Sequence, residues 1–449
     1  MARPRPATRR PRATYWGRNN LSQLGDGTTQ DRPTPPTTDL LSGMRAISAG
    51  PYTVCAAMMN GAVKCWGTLT AGGMNYTVRP EPPEHDLLGG VQALAMGGTF
   101  APSGGGIASY VCALMTNGGL RCWGDNRSGQ LGDGTTAMRL TPPAMDSLSG
   151  VQAVVAGGAH TCALMQNGGV RCWGDNARGQ LGDGTTDNRS TPPTSDLLTS
   201  VQAISASAWN TCVLTTSGGV RCWGDNSSGQ LGDGSTTQRL SPPAADVLSG
   251  AQAIAQGVYH TCALMTGGAV RCWGTNSLGE LGDGTTIDRH SPPTSDPSSG
   301  YRALALGNSH SCGLTTAGDV RCWGSSYSGQ VGNGVIGNAP TSSPQDVLSG
   351  VESIAAGAGH TCALMADGGV RCWGDNSLSQ LGDGGISTRS TPPLSPVLRG
   401  VRAVSAAMWN TCALTTSGGV RCWGDEASGQ LGDDNPYPRT PTTVPGRCP

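Results

Sequence analysis

The tripeptide Cys-Trp-Gly recurs at Trp66, Trp123, Trp173, Trp223, Trp273, Trp323, Trp373 and Trp423, and a Tyr-Trp-Gly variant stands at Trp16. Successive tryptophans of the series are 50 residues apart, except for 57 between Trp66 and Trp123. A period of this length marks a supersecondary unit that cannot bury its apolar face alone and must stack on its neighbours, so the chain is expected to form a ring or a solenoid. The period also decides how the composition is read. Seventy glycines and thirty prolines in 449 residues approach the content that suggests disorder in an aperiodic chain. In a periodic one they are turn residues.

The unit from Val151 to Ser200 shows the local structure expected. Val151 to Ala156 is a short apolar run stopped by Gly157 and Gly158, which reads as a strand. His160 to Met165 and Val170 to Trp173 are two further β-compatible runs around Asn167-Gly168, the signature of a hairpin. Gly174 to Thr186 is loop chemistry, and Thr191-Pro192-Pro193 permits only an edge strand, because proline has no ladder donor. Three strands and an outer fourth, with no helical period, describe the four-stranded blade of a β-propeller. The fold class expected is therefore all-β. Eight full units begin near Met44, Val91, Val151, Val201, Ala251, Tyr301, Val351 and Val401, preceded by half a unit. This favours eight blades, with seven and a surplus unit as the alternative.

The strings Gly-x-x-His-Thr-Cys-Ala-Leu and Gly-Gly-Val-Arg-Cys-Trp-Gly-Asp-Asn-x-x-Gly-Gln-Leu-Gly-Asp-Gly-Thr resemble the repeat of the regulator of chromosome condensation family over residues 15–445. The paired cysteines resemble its bacterial, alpha-tubulin suppressor-like branch, often met in envelope or secreted proteins. A bacterial source also suits an arginine bias in which Lys64 is the one lysine among 29 basic residues. The resemblance implies a propeller that binds proteins, and the family includes guanine-nucleotide exchange factors and an inhibitor of β-lactamases. It divides the chain into an Arg/Pro-rich tail or start artefact at 1–14, a single repeat domain at 15–445 and a tail at 446–449.

Sixteen cysteines form eight Cys-x9-Cys pairs: Cys55/Cys65, Cys112/Cys122, Cys162/Cys172, Cys212/Cys222, Cys262/Cys272, Cys312/Cys322, Cys362/Cys372 and Cys412/Cys422. Cys448 is left over. If each hairpin loop takes three residues with glycine in the left-handed position, the two cysteines lie directly opposite, within disulfide range. Buried thiols filling a narrow core are the competing reading, and zinc is a weaker one, since a pair supplies two ligands of the four a structural site needs. Disulfides imply an oxidising compartment, extracellular or in the envelope, yet residues 1–14 hold no apolar stretch of the signal-peptide kind. Two resolutions stand: a start that is truncated or misplaced, or a cytoplasmic protein.

Chemistry is sparse. A net charge of −1 offers no general attraction to nucleic acid, and no apolar run is long enough for a helical membrane span. A lone lysine, in Ala-Val-Lys64-Cys, rules out a phosphate-binding Gly-x-x-x-x-Gly-Lys loop, and zinc-protease and serine-hydrolase signatures are absent. The repeated Gly-Asp-Gly-Thr lacks the alternating carboxylates and final glutamate of a calcium loop, so its aspartate is assigned to turns. His160, His260, His310 and His360 occupy equivalent places and are assigned a structural role, bonding blade backbone. No cofactor, metal or catalytic residue is expected, and the chain is read as a monomeric, non-enzymatic scaffold for an unknown protein partner.

Function should lie where units differ. Just before the first cysteine of each pair, Ala159, Ser309 and Gly359 are small, whereas Tyr52, Trp209, Tyr259 and Trp409 are aromatic. The same connection carries a Gly-rich insertion near Gly98 to Ala108, which includes Phe100. These five aromatics are the candidate binding residues, because tryptophan and tyrosine supply contact area with few rotamers to freeze. Filling gaps between blades is the competing role.

Overall fold

The computed structural model describes residues 44–49, 53–59, 61–67, 90–100, 107–139, 142–339, 346–377, 379–406, 410–416 and 420–424. Every regular element among them is a β-strand. In the third unit the inner strand Val151–Ala156, the middle strand His160–Met165 and the third strand Val170–Gly174 form one antiparallel sheet. Seven further sheets repeat this order, with inner strands starting at Met44, Val91, Val201, Ala251, Tyr301, Val351 and Val401. Sheets are numbered in chain order. Inner strands of successive sheets lie side by side around an axis, and Met44–Ala49 of the first sheet lies against Val401–Ala406 and Asn410–Thr415 of the eighth. The fold is an all-β propeller.

The hairpin register follows from the turn. Met165 accepts a bond from the N–H of Gly168, whose φ of 78° places it in the left-handed region that glycine enters without strain. Leu164 then faces Val170, and Cys162 faces Cys172. Six described pairs are disulfides: Cys112–Cys122, Cys162–Cys172, Cys212–Cys222, Cys262–Cys272, Cys312–Cys322 and Cys362–Cys372, each with Cα atoms 4.1 Å apart. Oxidised pairs thus replace both the buried-thiol and the zinc alternatives in these sheets. Cys55 and Cys412 face Cys65 and Cys422 in the same register.

The fourth strand is where the structure departs from the sequence reading. In most sheets the outer edge is reduced to isolated bridges, Gly174 with Arg189 and Val170 with Leu198 in the third sheet. The intervening Pro192-Pro193 cannot donate to a ladder, so pairing stops on both sides of it. Among the described residues only the sixth sheet has a true fourth strand, Gly337–Ala339.

Each core lies between two sheets. Cys162, Leu164, Val170 and Cys172 of the third sheet pack with Val201, Val213 and Trp223 of the fourth, and the pattern repeats at each successive described junction. The repeated tryptophan is therefore a wedge between blades. Trp223 is fully buried, donates its indole N–H to the Gln180 carbonyl at 3.0 Å, and presses on Gly182, where a Cβ would sit 2.6 Å from Nε1. Truncating such a side chain costs about 3–5 kcal/mol.

Candidate functional site

Both connections that follow the inner and third strands emerge at one end of each sheet. The N–H of Asp225 donates to the Trp209 carbonyl and that of Thr275 to the Tyr259 carbonyl, both at 3.0 Å, tying the two connections of each sheet together. All such loops consequently share one face of the ring. The opposite face carries the short polar turns, such as Gln166-Asn167.

On that shared face Trp209 of the fourth sheet meets Tyr259 of the fifth, with ring centroids 5.9 Å apart and planes at 41°. Trp209 is half-buried, while Tyr259 remains 40% exposed. The connections that carry the pair also line, through Ser207 and Val258, a pocket of about 170 Å³ completed by Gln256, Leu306, Asn308 and Ala358 at the ends of the inner strands. Phe100 is placed at the end of the inner strand of the second sheet, on the same face: strands Val91–Phe100 and Ile107–Met115 continue three pairs beyond Gly97 and Tyr110, to Phe100 opposite Ile107. Residues 98–100 and 107–109, which flank the rest of the Gly-rich insertion, thus lengthen the second sheet beyond its sisters. Tyr52 and Trp409 lie outside the described residues, as do residues 1–14 and Cys448.

The bridged cysteines nearest this pocket in the chain take no part in lining it. Cys222, Cys272 and Cys322 are buried on the third strands of the fourth, fifth and sixth sheets, bonded to Cys212, Cys262 and Cys312 of the middle strands. They pack in the cores between sheets and belong to the frame that holds the face rather than to the face itself.

Larger exposed apolar side chains that sequence reasoning missed sit in the loops after the third strands. Ile287, Tyr327, Val335, Ile336 and Ile386 are exposed in the fifth, sixth and seventh sheets. The signal was present, since the sixth unit reads Gly-Asn333-Gly-Val335-Ile336 where others read Gly-Asp-Gly-Thr-Thr.

The repeated polar residues are structural. Asp183 accepts from the N–H and hydroxyl of Thr185, a turn as expected, and also pairs with Arg189. The Arg189 guanidinium and the Thr185 donors hold its carboxyl below the usual range against the opposing effect of burial. Arg171, before Cys172, pairs with Asp196 at 2.6 Å and fastens the outer segment. No group of three or more His, Cys, Asp or Glu side chains among the described residues is arranged to hold a metal.

The histidines bond differently from the expectation. His160 Nε2 lies 3.0 Å from the Thr211 hydroxyl of the next sheet, a side chain rather than backbone. His260, His310 and His360 repeat this with Ser311, Thr361 and Thr411. The reason is register: Thr211 donates to the Gln180 carbonyl at 2.9 Å, which leaves its oxygen free to accept from the imidazole. Burial lowers the pKa of His160 and His260 to about 4 and of His310 to about 3, so they are neutral members of the seams between sheets.

The sheet order and the repeated inter-sheet wedge place the molecule among ring-closed propellers built from roughly 50-residue units. The model of the RCC1-like domain matches residues 106–347, and that of the regulator of chromosome condensation (RCC1) repeat matches 351–380 and 401–430. The chain belongs to the RCC1 repeat family. It is similar to the ultraviolet-B receptor UVR8 of Arabidopsis thaliana, 31% identical over 151 residues covering 32% of this chain and 33% of the receptor. It is also similar to the E3 ubiquitin-protein ligase HERC2 of Homo sapiens, 30% identical over 156 residues covering 32% of this chain and 3% of the ligase. The matched region thus spans a third or less of these relatives. Among solved structures, Prp20p of Saccharomyces cerevisiae superposes with a TM-score of 0.58 at 20% identity, over 82% of this chain and 94% of that one. Human WBSCR16 does so with a TM-score of 0.60 at 20% identity, over 81% and 97%. At that identity the likeness shows the fold.

Proposed function

We propose that this protein is a non-enzymatic interaction scaffold that docks a protein partner on the face carrying Trp209 and Tyr259. The observation that carries the reading is the placement, on this one face, of the aromatic pair, the pocket lined by the same connections, the lengthened strands of the second sheet and the exposed aliphatics of the fifth to seventh sheets. Interfaces are built around such anchors, and the rigid ring of buried sheets holds them in place. The disulfides favour an extracellular or envelope location.

Regulation of a small GTPase is the second reading. It is favoured by the lengthened strand pair of the second sheet, which would offer a lever against a partner's surface, and by Prp20p, whose structure was reported with its binding to Gsp1p and histones. Release of a fluorescent guanine nucleotide from candidate GTPases, with and without the chain, separates the two; scaffold function predicts no acceleration.

The scaffold reading itself is tested by Trp209→Ala and Tyr259→Ala. A binding role predicts a melting temperature within a few degrees of the parent together with loss of the partner captured from the producing organism. A large loss of stability with capture intact would assign the pair to packing between sheets.

A further inference from the structure

The loop after the third strand is built on charge in most sheets and on none in the sixth. The third sheet carries Asp175, Asp183 and Arg189, and the fifth keeps the Asp283–Arg289 pair; the sixth has Ser325, Asn333 and Ala339 at the corresponding places. No formal charge remains from Ser325 to Ala339. In compensation Gly337–Ala339 pairs as a strand with Gly324 to Ser326, while the bond from the Gly334 N–H to the Ser390 carbonyl of the seventh sheet, 2.7 Å, is one the charged sister loops also make. The loop is thus held by backbone bonds, and its side chains are free for another purpose.

Those side chains are apolar and face water. Tyr327 is 63% exposed and Val335 and Ile336 are 56% exposed, where the fourth sheet has Ser227, Ser235 and Thr236. On either side around the ring stand Ile287, 72% exposed, and Ile386. The sister sheets fold with serine and threonine at the sixth loop's places, so folding does not require these residues. A run of exposed aliphatic and aromatic side chains across three consecutive sheets is the mark of a contact surface.

Charge defines what it contacts. A partner's charged group buried over the neutral sixth loop would find no counter-charge, which is costly, so the partner's centre must be uncharged. At the flanks, Arg289 and Arg389 are already engaged by Asp283 and Asp383. Asp288 accepts from the Asn276 N–H and Asp375 from Ser377, and neither has a cation beside it among the described residues. The flanks are therefore acidic, and basic groups complement them.

Resting on the reading of this face as the protein-binding one, we infer that the sixth-sheet loop is the centre of a docking surface for a protein segment with an uncharged apolar middle and Lys or Arg at both ends. The test is selection of a displayed random 12-residue peptide library on the immobilised full chain. Selected peptides are expected to show that pattern and to bind the parent at least tenfold more tightly than the variant Tyr327→Ser, Val335→Thr, Ile336→Thr, which carries side chains of the sister sheets' kind and should keep the parent's melting temperature. Asp288→Lys with Asp375→Lys is expected to weaken the same peptides severalfold, less so at high salt. Selected peptides that bind the triple variant as well as the parent, or that are acidic, overturn the inference, as does failure to select any peptide that tells the two apart. If binding is instead lost in Trp209→Ala and Tyr259→Ala but kept in the triple variant, the face is correct and this inference alone fails. If it survives all of these changes, both readings fail.

Discussion

His160 and Thr211 meet across the seam between the third and fourth sheets, Nε2 to Oγ1 at 3.0 Å, and Thr211 in turn donates to the Gln180 carbonyl that also receives the Trp223 indole N–H. One carbonyl of the third sheet thus anchors two side chains of the fourth. Because the threonine hydrogen is committed to Gln180, the imidazole must donate through Nε2, and in the neutral ring that burial favours this places the one proton on Nε2.

That geometry predicts an acid-sensitive fold. Burial lowers the pKa of His160 and His260 from 6.5 to about 4 and of His310 to about 3. Between those values and 6.5 the unfolded chain binds protons that the folded chain excludes. Stability is therefore full above pH 6.5 and falls as pH drops toward 4, by about 1.4 kcal/mol per pH unit for each histidine. Melting temperatures measured from pH 7.5 to 4.5 should show this slope. His160→Asn, which installs the residue found naturally at Asn210, should reduce it by one proton; an unchanged slope would show that His160 does not contribute.

The seventh sheet offers a stabilising change. Arg121, Arg171, Arg221, Arg271 and Arg321 each pair with an aspartate 25 residues on, at 2.5–2.7 Å. At the corresponding place of the seventh sheet stands Pro396, and the buried Nε of Arg371 has no partner. Pro396→Asp should raise stability by about 1 kcal/mol, read as a higher denaturant midpoint. The gain should vanish when Arg371→Ala is added. A gain that persists would have another origin.

Covalent pairing gives a third expectation. Non-reducing peptide mapping of protein from its producing cells should link Cys162 to Cys172, and likewise Cys222, Cys272 and Cys322 to Cys212, Cys262 and Cys312. Removing one pair should cost about 2–3 kcal/mol through the entropy of the unfolded loop. Free thiols throughout such material would remove the oxidising-compartment argument along with the bridges.

The parts of this fold legible in the sequence are those set within one unit. The run Val151 to Ala156, the Asn167-Gly168 turn and the Cys-x9-Cys spacing determine a hairpin whose register follows from glycine conformation alone. Contacts between units were not legible. Thr211, Gln180 and Trp223 recur with the same period as everything around them, so nothing in the repeat shows that they bond across a seam. The candidate face was half read. Trp209 and Tyr259 stand out against small residues at equivalent positions, and the structure brings them together. Tyr327 and Ile336 went unremarked because their loop lies far along the chain from the aromatic connection, and only the antiparallel return of the third strand brings both to one face.

A cross-linking comparison of the two faces decides whether the ring has a binding side. A photoreactive amino acid would replace Tyr259 in one variant and the exposed Asn167, on the opposite face, in another, with both expressed in the producing cells. A single partner band linked through position 259 and missing from position 167 is the result predicted. Equal labelling from both positions, or labelling from position 167 alone, would contradict the assignment of the Trp209–Tyr259 face.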